Sequence, residues 1–218
     1  IKKNIMPDTR TRNMEKRRER ILEQARKMLA EGGFEALNLR DLAGVSGVTV
    51  PTLYNLIGNK AEILRALVLG SFAEYEAEME GMTPTTEELP ALMVSTFTSL
   101  LQRDEDYYRA TALANERVEL ESDDHRNYGY KRGPLRRYAK NLCQAALDEG
   151  LLRGEIDQEL LIEQMIGTHQ VAFRDWAHRV ISLEELKQLS LSGFYITLAA
   201  DAVDTFRHQL VKKLAAMR

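Results

Sequence analysis

The sequence predicts an all-α fold, and three observations support this prediction. Apolar residues recur at three- and four-residue steps along most of the 218 residues, as on the buried face of a helix. No segment shows the convincing apolar–polar alternation of a strand. The stretch from Leu39 to Lys60, LRDLAGVSGVTVPTLYNLIGNK, carries the stop and start signals of two short helices joined by a tight turn.

The first helix is predicted from Met14 to Glu31, where Gly32 and Gly33 end it. Apolar residues recur in it at helical spacing and would share one buried face. These are Ile21, Leu22, Ala25, Met28 and Leu29.

The stretch from Leu39 to Lys60 has the spacing of a helix-turn-helix. Gly47 is placed to adopt the positive φ that ends a first helix over residues 39–46. Thr49 is predicted to cap the second helix with its hydroxyl, and Pro51 suits only a first turn, where its missing N–H costs nothing. An ordinary hairpin of two helices has similar spacing, so the motif alone leaves that alternative open.

Helical spacing divides the second helix into a buried face and an exposed face. Leu53 and Leu56 are three residues apart and are predicted to pack on the first helix, where Leu42 is also buried. The remaining side chains form a short, mixed surface of the kind that meets a DNA groove. This surface consists of Val50, Thr52, Tyr54 and Asn55.

Helices are also predicted on both sides of the motif. Asn38, with Asp41 three residues later, can open the helix before the turn. Asn59 and Glu62 form a second box that opens a helix over residues 60–80. Three compact helices that lead into a longer fourth are typical of a DNA-binding headpiece joined to another domain.

Residues 14–68 resemble the N-terminal domain of the tetracycline-repressor (TetR) family of bacterial transcriptional regulators. The family pattern I-A-x-x-A-G-V-S-x-G-T-L-Y-x-Y-F-x-S-K-x-x-L-L aligns with Leu42 to Leu64 without a gap. Thr49 and Asn59 are conservative replacements for serine caps. The matching positions are Ala43, Gly47, Val48, Thr52, Leu53, Tyr54, Lys60 and Leu64.

Four positions depart from this pattern. Ser46 replaces Ala, while Leu56 and Ile57 keep an apolar character in place of Tyr and Phe. Pro51 replaces Gly and makes the groove-facing surface stiffer and bulkier, so no operator sequence can be borrowed from the family. The predicted DNA-binding residues are Thr49, Val50, Pro51, Thr52, Tyr54, Asn55 and Lys60, with Thr49 and Lys60 assigned to phosphates.

The charge is distributed unevenly along the chain. Residues 1–62 hold 12 Lys and Arg against 8 Asp and Glu, a balance of +4, and the remainder holds 18 against 25, a balance of −7. A basic headpiece on an acidic body is expected when only one end contacts phosphates. Residues 1–13 are expected to be disordered, forming either a basic arm that reaches DNA or a tail without function. The basic residues of that arm are Lys2, Lys3, Arg10 and Arg12.

The body that follows is predicted to be a helical bundle. The run MTPTTEELP, which starts at Met82, is predicted to be a loop, and so is SDDHRNYGYKRG. The family resemblance implies a small effector bound between the helices of this body, and a homodimer formed through its last two long helices. The predicted helices lie near 87–103, 105–121, 128–150, 157–181 and 183–216.

The final predicted helix carries a long apolar stripe. This stripe suits the interior of one chain as well as a four-helix bundle between two copies, and both interpretations stay open. Gly193, with Ala199 and Ala200, would let another helix approach closely. The stripe consists of Leu191, Phe194, Tyr195, Leu198, Ala202, Phe206 and Leu210.

The preceding helix places His169 and Trp176 on an apolar face. They suit a hydrogen-bonded core histidine and a packing tryptophan, but an apolar cavity with a few polar groups is also what an effector site needs. The composition of this face predicts an apolar or aromatic effector. The candidate effector-binding residues are Phe97, Tyr108, Tyr138, Met165, His169, Phe173 and Trp176.

Two other classes of protein compete with a DNA-binding regulator. A helix-turn-helix can serve as an adaptor for protein partners, and an all-α enzyme is the least favoured alternative. The sequence has no Gly-rich phosphate loop, no H-E-x-x-H and no G-x-S-x-G, so we assign no catalytic residue, metal or cofactor. The single cysteine, Cys143, excludes an internal disulfide and is expected to be a small buried residue rather than a redox sensor.

The sequence therefore predicts a homodimeric regulator, more specifically a repressor, that binds double-stranded DNA at a palindromic operator. The predicted domains are a disordered basic arm (1–13), a helix-turn-helix domain (14–60) and an effector-binding and dimerisation domain (61–218). No membrane-spanning or export segment is recognisable, so a cytoplasmic location is expected. The helix over residues 60–80 would transmit the effector response.

Overall fold

The computed structural model describes residues 9–121 and 133–217, and the described chain contains ten α-helices. The predicted all-α class is confirmed, since the only β pairing in these ranges is an isolated bridge between Leu152 and Ala202. None of the described helices has the run of apolar residues that crossing a bilayer requires. The helices are α1 (Thr9–Ala36), α2 (Leu39–Val45), α3 (Val50–Leu56), α4 (Lys60–Met79), α5 (Leu89–Gln102), α6 (Glu105–Glu121), α7 (Pro134–Asp148), α8 (Gln158–Ala177), α9 (Leu183–Asp201) and α10 (Asp204–Ala215).

The described chain forms two compact units. The first contains residues 9–71 and 106–121, and the second contains residues 72–105 and 133–217. Helix α4 contributes residues 60–71 to the first unit and 72–79 to the second. These units divide the chain differently from a boundary after residue 60, because the first part of α4 and nearly all of α6 group with the helix-turn-helix.

The core of the first unit lies where α1, α2, α3, α4 and α6 each bury an apolar face. Leu42 and Leu53, which were predicted to hold the two short helices together, are both fully buried. Burying one leucine side chain contributes roughly 1.5–3 kcal/mol, so these residues account for much of the stability of two seven-residue helices. The core consists of Ile21, Ala25, Leu29, Leu37, Leu42, Ala43, Leu53, Ile63, Leu64, Leu67 and Ala114.

Helix α1 is longer than the sequence pattern predicted. The stop at Gly33 is confirmed, because its φ of 67° and ψ of −165° interrupt the helical backbone. The predicted start at Met14 is wrong, since the helix begins at Thr9. Residues 9–13 are therefore helical rather than part of a disordered arm, and residues 1–8 lie outside the described chain. Residues 10–20 are all exposed and have no buried apolar face, so periodicity could not reveal them.

The helices of the second unit pack closely at a glycine, as expected. A Cβ atom at Gly193 of α9 would lie 2.5 Å from Cγ2 of Thr168 in α8, so the crossing depends on the missing side chain.

Helix α8 ends at Ala177 rather than near residue 181, because Arg179 adopts a positive φ of 61°. The helices predicted near 87–103 and 105–121 are confirmed as α5 and α6. Of the predicted helix 128–150, residues 128–132 lie outside the described chain, as does most of the loop predicted at SDDHRNYGYKRG.

The single helix predicted over residues 183–216 is wrong, because the chain turns between α9 and α10. The Asp201 carboxylate accepts hydrogen bonds from the backbone N–H groups of Gly154, Glu155 and Ile156, at 2.9, 3.0 and 3.1 Å. Ala202 adopts an extended backbone with a ψ of 145°. The backbone N–H of the next residue, Val203, donates to the carbonyl oxygen of Leu151, three residues after the end of α7. These contacts replace the hydrogen bonds that would have continued the helix.

Candidate nucleic-acid interface and aromatic cluster

The turn of the helix-turn-helix is shaped by one glycine and two caps. The side chain of Asn38 accepts from the backbone N–H of Arg40 at 2.8 Å and so caps α2, as predicted. Gly47 has a φ of 63°, which confirms the expected left-handed conformation. The Thr49 hydroxyl accepts from the N–H of Thr52 at 3.3 Å and caps α3. The chain thus reverses over four residues between α2 and α3.

Helix α3 buries one face and exposes the other. Leu53 is fully buried, whereas Pro51 occupies the first turn and is exposed, as are Tyr54 and Asn55. The exposed side chains are short or rigid and include no acidic group. This face can enter a DNA groove without repelling the phosphates.

The two threonines of the predicted interface are coupled to one another. The hydroxyls of Thr49 and Thr52 lie 2.8 Å apart and share a hydrogen bond. Thr49 is exposed, while Thr52 and Val50 are half-buried. The pair therefore presents a defined hydroxyl at the start of α3, beside backbone N–H groups that attract anions.

Lys60 lies in the first turn of α4. The box predicted there is confirmed, because the N–H of Asn59 donates to Glu62 at 2.7 Å and the N–H of Glu62 donates to Asn59 at 3.0 Å. The Lys60 Nζ atom lies 3.8 Å from the centroid of the Phe34 ring. This cation–π contact restrains the position of the charge, although the side chain is only half-buried.

One basic residue beside the turn was not predicted as part of the interface. A Cβ atom placed on Gly47 would lie 3.2 Å from an Nη atom of Arg20, so the guanidinium of α1 rests on the turn. The turn conformation is thus supported by α1 as well as by the caps. The only signal in the sequence was the run of basic residues before Ile21, which carries no apolar periodicity.

Four of the predicted effector residues form a continuous aromatic cluster in the second unit. The Phe97 ring contacts His169 and Phe173 edge to face, with centroids 4.7 and 5.5 Å apart. Phe173 in turn stacks on Trp176 at 5.6 Å. His169 and Trp176 are buried, and Phe97 is half-buried. Rings from α5 and α8 therefore meet, as the sequence suggested.

The cluster extends to a tyrosine that sequence reasoning missed. Tyr75 of α4 contacts Phe97 at 6.4 Å and Tyr138 at 5.7 Å, and its hydroxyl donates to the backbone oxygen of Met93 at 3.2 Å. Burial, together with the neighbouring Tyr138, raises the pKa of Tyr75, which keeps the hydroxyl protonated. Met165 is fully buried on the same helix as His169.

His169 provides a polar group within this apolar region. Its Nδ1 atom shares a 3.0 Å hydrogen bond with the hydroxyl of Ser190, and both residues are buried. Burial lowers the pKa of His169 to about 4, so the imidazole is neutral at neutral pH. A neutral ring can accept or donate one further hydrogen bond, whereas a charged ring could only donate one.

Two other side chains have surroundings that limit their roles. Tyr108 lies in the first unit, where its ring contacts Tyr107 at 4.9 Å and the guanidinium of Arg26 at 5.6 Å. Tyr108 thus belongs to a different compact unit from the rings around Phe97. Cys143 is fully buried, and burial raises the pKa of its thiol to about 12, as expected of a packing residue.

Comparison with known proteins agrees with the geometry of the first unit. Residues 21–67 match the family described as bacterial regulatory proteins, tetR family. A fatty acid metabolism regulator protein of Bacillus subtilis is 29% identical over 190 residues, which covers 84% of this chain and 93% of that protein. The HTH-type transcriptional repressor KstR2 of Mycobacterium tuberculosis is 25% identical over 163 residues, which covers 72% of this chain and 80% of that protein.

A solved structure shares the fold over most of its length. SmeT, the repressor of the Stenotrophomonas maltophilia multidrug efflux pump SmeDEF, aligns with a TM-score of 0.62 at 22% identity and covers 87% of this chain and 92% of that chain. This likeness shows that the chain has the helical fold of that repressor. Residues 21–67 therefore form the N-terminal domain of the tetR family of bacterial regulatory proteins, which confirms the resemblance found in the sequence.

Two glycines of the motif should respond oppositely to alanine. Gly47→Ala should lower the free energy of unfolding by about 1–2 kcal/mol, because alanine is disfavoured in the left-handed region. Its Cβ atom would also crowd Arg20. Gly44→Ala should raise that free energy by up to about 1 kcal/mol, since Gly44 is helical with open space around it. Urea unfolding measures both changes, and equal effects of the two substitutions would contradict the assigned role of Gly47.

Proposed function

We propose that this protein is a cytoplasmic, homodimeric transcriptional repressor that binds a palindromic operator and responds to a small apolar or aromatic effector. The observation that carries the proposal is the geometry of α3. A capped helix with Leu53 buried and Pro51, Tyr54 and Asn55 exposed is suited to reading a major groove. The HTH-type repressor KstR2, with which the chain shares 25% identity, is described as a repressor and supports the same direction of control.

The contacts to DNA are divided by chemistry. The Asn55 amide can bond adenine through two hydrogen bonds, and Tyr54 and Thr52 flank it as further base or phosphate contacts. Val50 and Pro51 supply apolar contact, and Thr49 and Lys60 bind phosphates. This division separates residues that choose a sequence from residues that only hold the duplex.

Dimerisation is supported by apolar side chains that one chain leaves exposed. The predicted stripe of the last helices is largely used inside the chain, because Phe194, Leu198 and Phe206 are buried. A different set of large apolar residues remains at least 47% exposed on α8, α9 and α10. It consists of Leu160 and Val171 on α8, Leu189 and Ile196 on α9, and Val211 on α10.

A surface groove accompanies these side chains. It has a volume of about 770 Å³ and is lined by Leu189, Ile196, Val211 and Leu214 among others. Apolar side chains grouped in this way mark an interface more often than a free surface. We infer that a second copy covers this face and that its two-fold symmetry sets the symmetry of the operator.

The effector is assigned to the aromatic cluster. Phe97, Phe173 and Trp176 offer apolar contact, and His169 adds one polar group that can orient a ligand. A relative named for fatty acid metabolism makes fatty acids a reasonable first probe. The effector can alter DNA binding only if it binds two states of the protein with different affinity. Helix α4, which carries both Lys60 and Tyr75, is the proposed transmitting element.

The DNA contacts are tested by comparing Asn55→Ala with Lys60→Ala. Asn55→Ala should relax the preference at one base position and cost about 1–3 kcal/mol on the preferred sequence. Lys60→Ala should weaken binding to all duplexes alike and reduce the slope of log K against log salt by about 1. Affinities for a panel of duplexes with single base changes, each at several salt concentrations, measure both effects. A uniform loss for Asn55→Ala, or an unchanged slope for Lys60→Ala, would remove that residue from its assigned role.

Effector coupling is tested through Trp176, the only tryptophan. Fatty acids of increasing chain length should change its fluorescence at the concentrations that change DNA affinity, because its ring belongs to the cluster. Saturating duplex should change fatty acid affinity by the same factor, typically about 5–150-fold. Titration in both directions measures the two factors.

A matched substitution separates ligand contact from packing. Phe173→Leu removes a ring from the cluster, and Phe206→Leu removes an equal volume from another buried position, on α10. Only Phe173→Leu should weaken fatty acid binding, and DNA affinity without fatty acid should stay unchanged in both variants. Equal losses would place Phe173 in the core rather than in an effector site.

A further inference from the structure

The beginning of α1 is a helical segment that is exposed throughout, as judged from the residues that the structure describes. Every residue from Arg10 to Arg20 is exposed, and Ile21 is the first that is fully buried. At a rise of about 1.5 Å per residue, this basic segment (residues 10–20) is about 15 Å long. Helices in proteins are stabilised mainly by packing an apolar face, and this segment has none. Its composition therefore indicates a partner outside the chain.

The charge of the basic segment favours a polyanion as that partner. It carries six basic residues against two acidic ones, Glu15 and Glu19. At about 100° per residue, Arg10 and Arg17 fall within about 40° of the buried face marked by Ile21, whereas both glutamates lie about 120° or more from it. The acidic residues are thus turned away from one basic face. The basic residues are Arg10, Arg12, Lys16, Arg17, Arg18 and Arg20.

The segment also adjoins the candidate DNA interface. Its last residue, Arg20, rests on Gly47, two residues before the Thr49 cap of α3. The end of the segment therefore lies beside the turn that precedes α3, within the same compact unit. A duplex that receives α3 in its groove would lie close to this end of α1.

We propose that the Arg10 and Arg17 face of α1 binds the DNA phosphate backbone beside the groove that α3 enters. This inference rests on the proposed function and adds a second contact surface to it. Such contacts release counterions and strengthen binding without choosing a sequence. The same face in the next turns, marked by Ile21 and Ala25, holds α1 on the core.

Two double substitutions on the same helix test the proposal. Arg10→Gln with Arg17→Gln removes two charges from the basic face, and Arg12→Gln with Lys16→Gln removes two from the opposite side. All four positions are exposed and glutamine keeps a high helix propensity, so both variants should fold with the wild-type melting temperature. Duplex affinity is then measured as a function of salt concentration, on a preferred and on an unrelated sequence.

The first variant should reduce the slope of log K against log salt by about 1.8, corresponding to two lost phosphate contacts, on both sequences. The second should leave the slope close to the wild-type value. Uncharged methylphosphonates placed one at a time in the duplex give an independent readout. At the phosphates that face α1, the methylphosphonates should weaken duplex binding by the wild type but not by the first variant.

Three results would overturn the proposal. The first variant could keep the wild-type slope of log K against log salt, or the slope could fall equally in both variants. Either result would leave the proposed function intact if the wild type still selects a duplex. Alternatively, the first variant could lose binding to phosphatidylserine vesicles while its duplex binding is unchanged, which would make the segment a membrane-surface helix. A wild-type protein that binds no duplex would instead remove the proposed function itself.

Discussion

The reversal of the chain at Gly47 is the constraint on which the DNA-facing surface depends. Its left-handed backbone lets α2 and α3 pack Leu42 and Leu53 into one core, and the guanidinium of Arg20 rests on the turn from the side of α1. This packing fixes the orientation of α3, because the helix has seven residues and only Leu53 is buried. The side of α3 opposite Leu53 must then face outward. The residues of that face are exposed as a consequence of core packing.

The features predicted correctly from the sequence are those whose causes lie within a few residues. The caps at Asn38 and Thr49, the positive φ at Gly47 and the box between Asn59 and Glu62 each depend on local hydrogen bonds or local sterics. Residue type and spacing are sufficient to predict such features. The TetR resemblance rests on the same short-range pattern.

Several features that residue spacing did not reveal depend on contacts between distant residues. The final helix breaks because Asp201 receives three backbone donors from residues 154–156, which spacing within the helix cannot reveal. Helix α6 joins the first unit because Ala114 fills its core, although its sequence reads like any other helix of the body. The aromatic cluster also contains Tyr75, which periodicity did not identify, since periodicity identifies a face but not its neighbours.

The proposed function requires that α3 selects a DNA sequence and that two copies of the chain present α3 with two-fold symmetry. The 218-residue chain can be used to select duplexes from a random library. We expect enrichment of a palindrome whose half-sites are centred about 10–10.5 base pairs apart, or a multiple of that spacing. Asn55→Ala should change which bases are enriched. No enrichment, or the same enriched sequence with Asn55→Ala and Tyr54→Ala together, would rule out sequence reading by α3.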